Sequence, residues 1–164
     1  MGGAIHMPSA YIDMMIESQE KKLELLDRVI ELDREQEETV TAEKPDMEAL
    51  NANLTEKGAL VDELNKLDEG FDNIYAKVRD ELINNKEAHK DEILRLQHLI
   101  RQIMEKTADI EAMEARSKIN VENFLKKRKK ELREGRNSIQ AASVYSTNMR
   151  RAYNTLPFFV DNKK

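Results

Sequence analysis

The sequence predicts an all-α protein, an elongated antiparallel bundle of three long helices plus a shorter C-terminal helix. Of its 164 residues, 36% are charged, and only five are glycine and three are proline. This composition is typical of proteins built from long helices. Apolar residues also recur at steps of three and four over long stretches, which is the spacing of one helix face. Two turn signals, at Pro45 and at Asn84-Asn85, divide these stretches and predict that the chain reverses direction twice.

The first helix is predicted to begin at Ser9, a suitable N-cap residue, after a disordered N-terminus over residues 1–8. Its apolar face is formed by Ile12, Ile16, Leu23, Leu26 and Ile30. The pattern fades before Pro45, which disfavours a helical conformation at Lys44. We therefore expect a turn over residues 42–46.

The second helix resumes at Asp46, and its apolar face is interrupted by Lys57 and Asp68. Glycine in a helix interior costs about 1 kcal/mol relative to alanine, so Gly70 is a place where a kink or break is allowed. The face of the third helix is interrupted at Thr107, Glu114 and Ser117. These interruptions predict a thin core.

The C-terminal part divides from the bundle (residues 9–136) as an amphipathic helix and tail over residues 137–164. Four of the eight aromatic residues fall in its last twenty positions, and aromatic side chains are frequent anchors at interfaces. The candidate partner-binding residues are Tyr145, Met149, Tyr153, Leu156, Phe158 and Phe159. They form either a surface that contacts a partner, a flap over such a surface, or a permanent fourth member of the bundle.

Charge is distributed unevenly along the chain. Residues 1–70 carry seven Lys/Arg and 18 Asp/Glu, whereas residues 116–164 carry 13 and four. The densest basic run consists of Lys126, Lys127, Arg128, Lys129 and Lys130. It is a candidate for electrostatic docking of an acidic partner, or else a solvated face. Glu131 and Glu134 dilute the run and the chain is acidic overall, which argues against a nucleic-acid partner.

The sequence offers little catalytic chemistry. It contains no cysteine, no phosphate-binding glycine loop and no Glu-x-x-His pair of the di-iron type. His89 and His98 lie on an otherwise polar surface and are expected to be exposed. We therefore expect no enzymatic activity, no metal and no cofactor. The absence of an export signal and of a long apolar run predicts a cytoplasmic location without membrane insertion.

Several segments resemble the FlgN-type flagellar export chaperones: Tyr11-Ile-Asp-Met-Met-Ile-Glu17, Lys21-Lys-Leu-Glu-Leu-Leu26 and Leu64-Asn-Lys-Leu-Asp-Glu-Gly-Phe-Asp-Asn-Ile-Tyr-Ala-Lys-Val-Arg79. The resemblance covers roughly residues 10 to 150. It implies that the chain binds hook–filament junction subunits before secretion and hands them to the export gate. The FliT-type chaperones, which serve the filament cap subunit, are similar in size and helicity.

The competing hypothesis is a coiled-coil scaffold or oligomerisation protein without chaperone activity. The interrupted faces at Lys57, Asp68 and Glu114 favour a short bundle over a long rod. A chaperone is expected to be a monomer or small homo-oligomer that binds a foreign helix, whereas a scaffold forms a fixed oligomer that ignores such a helix.

Overall fold

The computed structural model describes residues 2–126 and 141–149. Helix α1 spans Gly2–Thr41, α2 spans Met47–Asn84 and α3 spans Lys90–Lys126, with a 3-10 turn at Lys86–His89 before α3. Residues 141–149 are also helical and are called the C-terminal segment below. The described residues contain no strand, and the prediction of an all-α bundle is confirmed. No helix within them has the combination of length and apolar character needed to cross a membrane.

The direction of the helices follows from the pairs that join them. Lys57 meets Asp33, while Lys22 meets Asp68, so α1 and α2 run antiparallel. Lys106 lies 2.6 Å from Asp27, further along both helices than the 2.9 Å pair of Arg95 with Glu20. Helices α1 and α3 are therefore parallel. Within the described residues, α1 packs along both other long helices, whereas the backbones of α2 and α3 come close to each other at few points.

The start of α1 corrects the sequence-based prediction. The helix begins at Gly2, so Ser9 lies inside it and is not its N-cap, and residues 2–8 of the predicted disordered N-terminus are placed in the helix. Pro8 is also inside the helix. A proline ring fixes a φ angle that suits a helix and removes one backbone donor, so it weakens a helix without always ending it.

The two predicted turns are confirmed. Helix α1 ends at Thr41, and Asp46 caps α2 by accepting a hydrogen bond from the Ala49 amide at 3.1 Å. Helix α2 ends at Asn84, where the Asn85 amide donates to the Glu81 carbonyl at 2.9 Å. The break allowed at Gly70 does not occur, because α2 is continuous through that residue.

Most buried apolar side chains of the described residues belong to one of two separate clusters. The main core runs along most of the bundle and includes residues from all three long helices and from the C-terminal segment. Its members include Ile12, Met15, Leu26, Val61, Phe71, Leu82, Ile100, Ile110 and Tyr145. The smaller distal core consists of Leu50, Leu54, Val121 and Phe124, with Val40 and Met47 packed against it.

Replacement of Gly70 by alanine is expected to stabilise the protein by up to about 1 kcal/mol. An alanine Cβ at this position would meet no atom within 4 Å, so the gain in helix propensity comes without a clash. Urea denaturation followed by circular dichroism measures the change. Ala76→Gly, at an exposed position of the same helix, should lower the stability by a similar amount. A Gly70→Ala variant that unfolds at lower urea than wild type would contradict this account.

Candidate functional site

The polar residues that interrupt the helical stripes point inward. Lys57 is 0% exposed and Glu114 is 3% exposed, and Thr107 and Ser117 are also buried. The hydroxyls of the last two donate to their own helix, Thr107 to the Ile103 carbonyl at 2.7 Å. The sequence predicted a thin core at these positions, and the structure shows that buried polar side chains are part of the core there.

A polar layer joins the three long helices between the main core and the distal core. It consists of Asp33 and Gln36 from α1, Lys57 from α2 and Glu114 from α3. The Lys57 Nζ lies 2.8 Å from Asp33 Oδ1, 3.2 Å from Gln36 Oε1 and 2.5 Å from Glu114 Oε2. Each ammonium proton thus has an acceptor, as a buried charge requires. Next to the layer, Asn53 donates to the Leu32 carbonyl at 2.7 Å.

The electrostatics of the polar layer favour a proton on the Glu114 carboxyl group. Burial, together with a hydrogen bond to Asp33, raises the pKa of Glu114 to about 8, although the charge of Lys57 acts in the opposite direction. Asp33 Oδ2 and Glu114 Oε1 are buried without a hydrogen-bond donor. A proton on Glu114 supplies a donor to Asp33, and the remaining carboxylate then balances the charge of Lys57.

A second buried charge lies in the main core. The Lys22 ammonium contacts Asp68, and its Nζ lies 5.8 Å from the centre of the Tyr145 ring. Burial lowers the pKa of Lys22, and Asp68 partly offsets that effect. The Tyr145 hydroxyl donates to the other oxygen of Asp68 at 2.8 Å. This group of Lys22, Asp68 and Tyr145, called the Lys22 cluster, joins α1, α2 and the C-terminal segment.

The C-terminal segment packs as a fourth helical element against the three long helices. Its buried residues are Ala142, Tyr145, Ser146 and Met149, which follow the i, i+3, i+4, i+7 spacing of one helix face. Tyr145 reaches α1 and α2 through the Lys22 cluster, and the Met149 sulfur lies 3.7 Å from the Thr107 hydroxyl of α3. Val144, on the opposite face, is 55% exposed.

The predicted partner-binding residues are thus placed in two groups. Tyr145 and Met149 are buried in the main core, where they contact the bundle itself. Tyr153, Leu156, Phe158 and Phe159 lie outside the described residues.

Of the predicted docking run, only Lys126 is described, and it is exposed at the last residue of α3. Lys127, Arg128, Lys129 and Lys130 lie outside the described residues, and the docking role stays a prediction.

The expectation for the histidines is half correct. His98 is exposed, but His89 is 6% exposed, and its Nε2 lies 2.8 Å from Glu81 Oε2. The reason is that the 3-10 turn folds His89 back over the end of α2, which sequence spacing on α3 does not reveal. The contact with His89 lowers the pKa of the Glu81 carboxyl. Within the part of the chain that the structure describes, no group of three His, Asp or Glu side chains is arranged to hold a metal ion.

Comparisons of the chain with protein family models, with curated proteins and with solved structures found no match. The functional interpretation therefore depends on the buried polar groups and on the packing of the C-terminal segment against the long helices.

Replacement of Lys57 by methionine is expected to destabilise the protein by about 3–5 kcal/mol, because the Asp33 carboxylate is then left buried without a counter-charge. Urea denaturation at pH 7 measures the loss. The control is Lys66→Met, at an exposed position of the same helix, which should change the stability by no more than about 0.5 kcal/mol. Combining Lys57→Met with Asp33→Asn should recover most of the loss, since no charge remains to be buried. A single variant as stable as wild type would show that the layer is solvated in solution.

Proposed function

We propose that this chain is a cytoplasmic chaperone of flagellar type III export. It binds the amphipathic terminal helices of hook–filament junction subunits and delivers them to the export gate, as its resemblance to the FlgN-type family implies. The filament cap subunit is the alternative client, on the resemblance to the FliT-type family. Such a role requires neither a nucleotide nor a metal, and we propose no enzymatic activity.

The observation that supports this proposal is the way in which the C-terminal segment packs on the bundle. A short amphipathic helix lies on the bundle with its anchors at i, i+3, i+4 and i+7, which is the spacing by which groove-binding helices are recognised. The backbones of α2 and α3 come close to each other at few points, and the segment contacts both helices. The bundle therefore provides a surface on which a helix of this type fits.

The contacts of the segment also support its exchange for a client helix. Two of its four buried anchors, Ala142 and Ser146, are small, so Tyr145 and Met149 supply most of the apolar surface that these four anchors bury. Tyr145 adds a hydrogen bond to Asp68, which has a net value of about 1.5–3 kcal/mol for a charged acceptor. A client helix with larger apolar anchors can bury more surface at the same place.

Removal of residues 137–164 is expected to raise the affinity for a client helix at least tenfold, or about 1.4 kcal/mol, because the segment no longer occupies the binding surface. The measurement is fluorescence anisotropy with a labelled terminal helix of a hook–filament junction subunit and, separately, of a filament cap subunit. Circular dichroism must first show that the shortened chain is folded. A loss of affinity would instead mark direct contact between the C-terminal residues and the client.

Point variants within the segment distinguish competition between the segment and the client helix from a general loss of stability. Tyr145→Ala should loosen the segment and raise client affinity, whereas Val144→Ala, at its exposed face, should leave affinity unchanged. If the shortened chain unfolds before any client is added, the segment is a permanent part of the core and the assignment is wrong. A chain of fixed oligomeric state that ignores every client helix would favour the scaffold hypothesis.

The basic run is expected to govern the rate of docking on an acidic partner. Reversal of Lys126, Lys127 and Lys129 to glutamate should slow association and flatten its salt dependence, while client affinity stays nearly unchanged. Stopped-flow association with the acidic export-gate partner at several salt concentrations tests this, with Lys66→Glu as the control. Equal rates for wild type and the triple variant at low salt would identify the run as a solvated face.

A further inference from the structure

The polar layer separates two apolar clusters of unequal size. Along α2 it lies between Leu54 of the distal core and Val61 of the main core, and along α3 it lies between Ile110 and Val121. Among the residues that the structure describes, four buried apolar side chains form the distal core, whereas the main core continues through the rest of the bundle. Parts of a protein with few buried apolar contacts open at lower free energy than the whole.

The docking of the last part of α3 depends on the state of this layer. Glu114 is the layer's contribution from α3, and it is 3% exposed with its Oε2 at 2.5 Å from the Lys57 Nζ. Beyond it, α3 is held on α1 and α2 by the distal core and by a 3.5 Å contact between Asn120 and Glu37 on the surface. An unfavourable charge in the layer would therefore weaken the docking of the end of α3, which few other contacts described here hold in place.

We propose that the polar layer is a proton-operated lock for the distal end of the bundle. While Glu114 is protonated, residues 114–126 of α3 stay docked on α1 and α2. Loss of that proton undocks them, while the main core stays folded.

The charges that face Glu114 support this assignment. Asp33 approaches it from α1 and Lys57 approaches it from α2, and these are the charged groups that act on its titration. Gln36 and Asn53 are the neutral polar residues beside them. With a proton on Glu114, the layer holds one carboxylate and one ammonium group. Without it, two carboxylates face one ammonium, and the uncompensated buried charge favours the open state.

The direction of the pH dependence follows from linkage. Burial raises the pKa of Glu114 to about 8 in the docked state, whereas a solvated glutamate titrates near 4.3. The docked state therefore holds a proton that the open state releases over this range. The opening constant should rise about tenfold per pH unit between roughly pH 5 and pH 8, and docking is most favourable at the acid end.

Native-state hydrogen exchange of the full-length chain at low urea concentrations tests the proposal. After correction for intrinsic exchange rates, amides of residues 115–126 should lose about 100-fold of their protection between pH 6 and pH 8. They should also be less protected than amides of residues 96–107, and their exchange should depend less on urea, because the opening exposes only part of the surface.

Two variants abolish the proposed protonation of the layer, and a third variant serves as the control. Glu114→Gln keeps the shape and cannot ionise, and Asp33→Asn removes the carboxylate that helps to raise the pKa of Glu114. Both should reduce the loss of protection in residues 115–126 to less than about threefold over the same range. Glu105→Gln, at an exposed position of α3, should behave as wild type.

Either of two results would overturn the proposal. Equal protection and equal urea dependence in the two regions of α3 would show that the bundle opens as one unit. A loss of about 100-fold that persists in both Glu114→Gln and Asp33→Asn would show that another group controls the opening. No client is needed, so the result is independent of the proposed chaperone function.

Discussion

The buried ammonium group of Lys57 is the constraint on which the arrangement of the long helices depends. A charge at 0% exposure is tolerated only where acceptors surround it, and here they come from both other helices. A shift of any helix by one turn, about 5.4 Å, would remove an acceptor from this group. Apolar side chains are interchangeable in such a shift, whereas Asp33 and Glu114 are not. The polar layer thus selects one register of the three helices, whereas the apolar faces alone would allow several.

The fold could be predicted from the sequence because each helix carries its own periodic signal. The turn at residues 42–46 and the end of α2 at Asn84 depend on proline and asparagine, whose effects are local. The polar layer could not be predicted in the same way, because Lys57 receives its acceptors from other helices. Periodicity identified Lys57 and Glu114 as interruptions, and their position on the apolar face was the available signal. Asp33 and Gln36 gave no such signal, since they lie where the pattern of α1 fades.

The two buried lysines differ in their contacts with the C-terminal segment, which we propose to be exchangeable for a client helix. The Lys22 cluster includes Tyr145, so release of the C-terminal segment removes one partner of Asp68 and leaves its contact with Lys22 in place. The polar layer is formed by the long helices alone. An exchange of the segment is therefore compatible with a bundle whose helix register does not change.

The central position of α1 has a consequence for folding on the ribosome. Because α1 is made first and packs along both other long helices, the hairpin of α1 and α2 can form before α3 is complete, with Asp33 already beside Lys57. Helix α3 then docks on a prepared surface. A circularly permuted chain that begins with α2 would present two nascent helices that share only the Lys57–Glu114 contact and the distal core until α1 emerged last. The faces that they pack against α1 would be open to chaperones and proteases for most of translation.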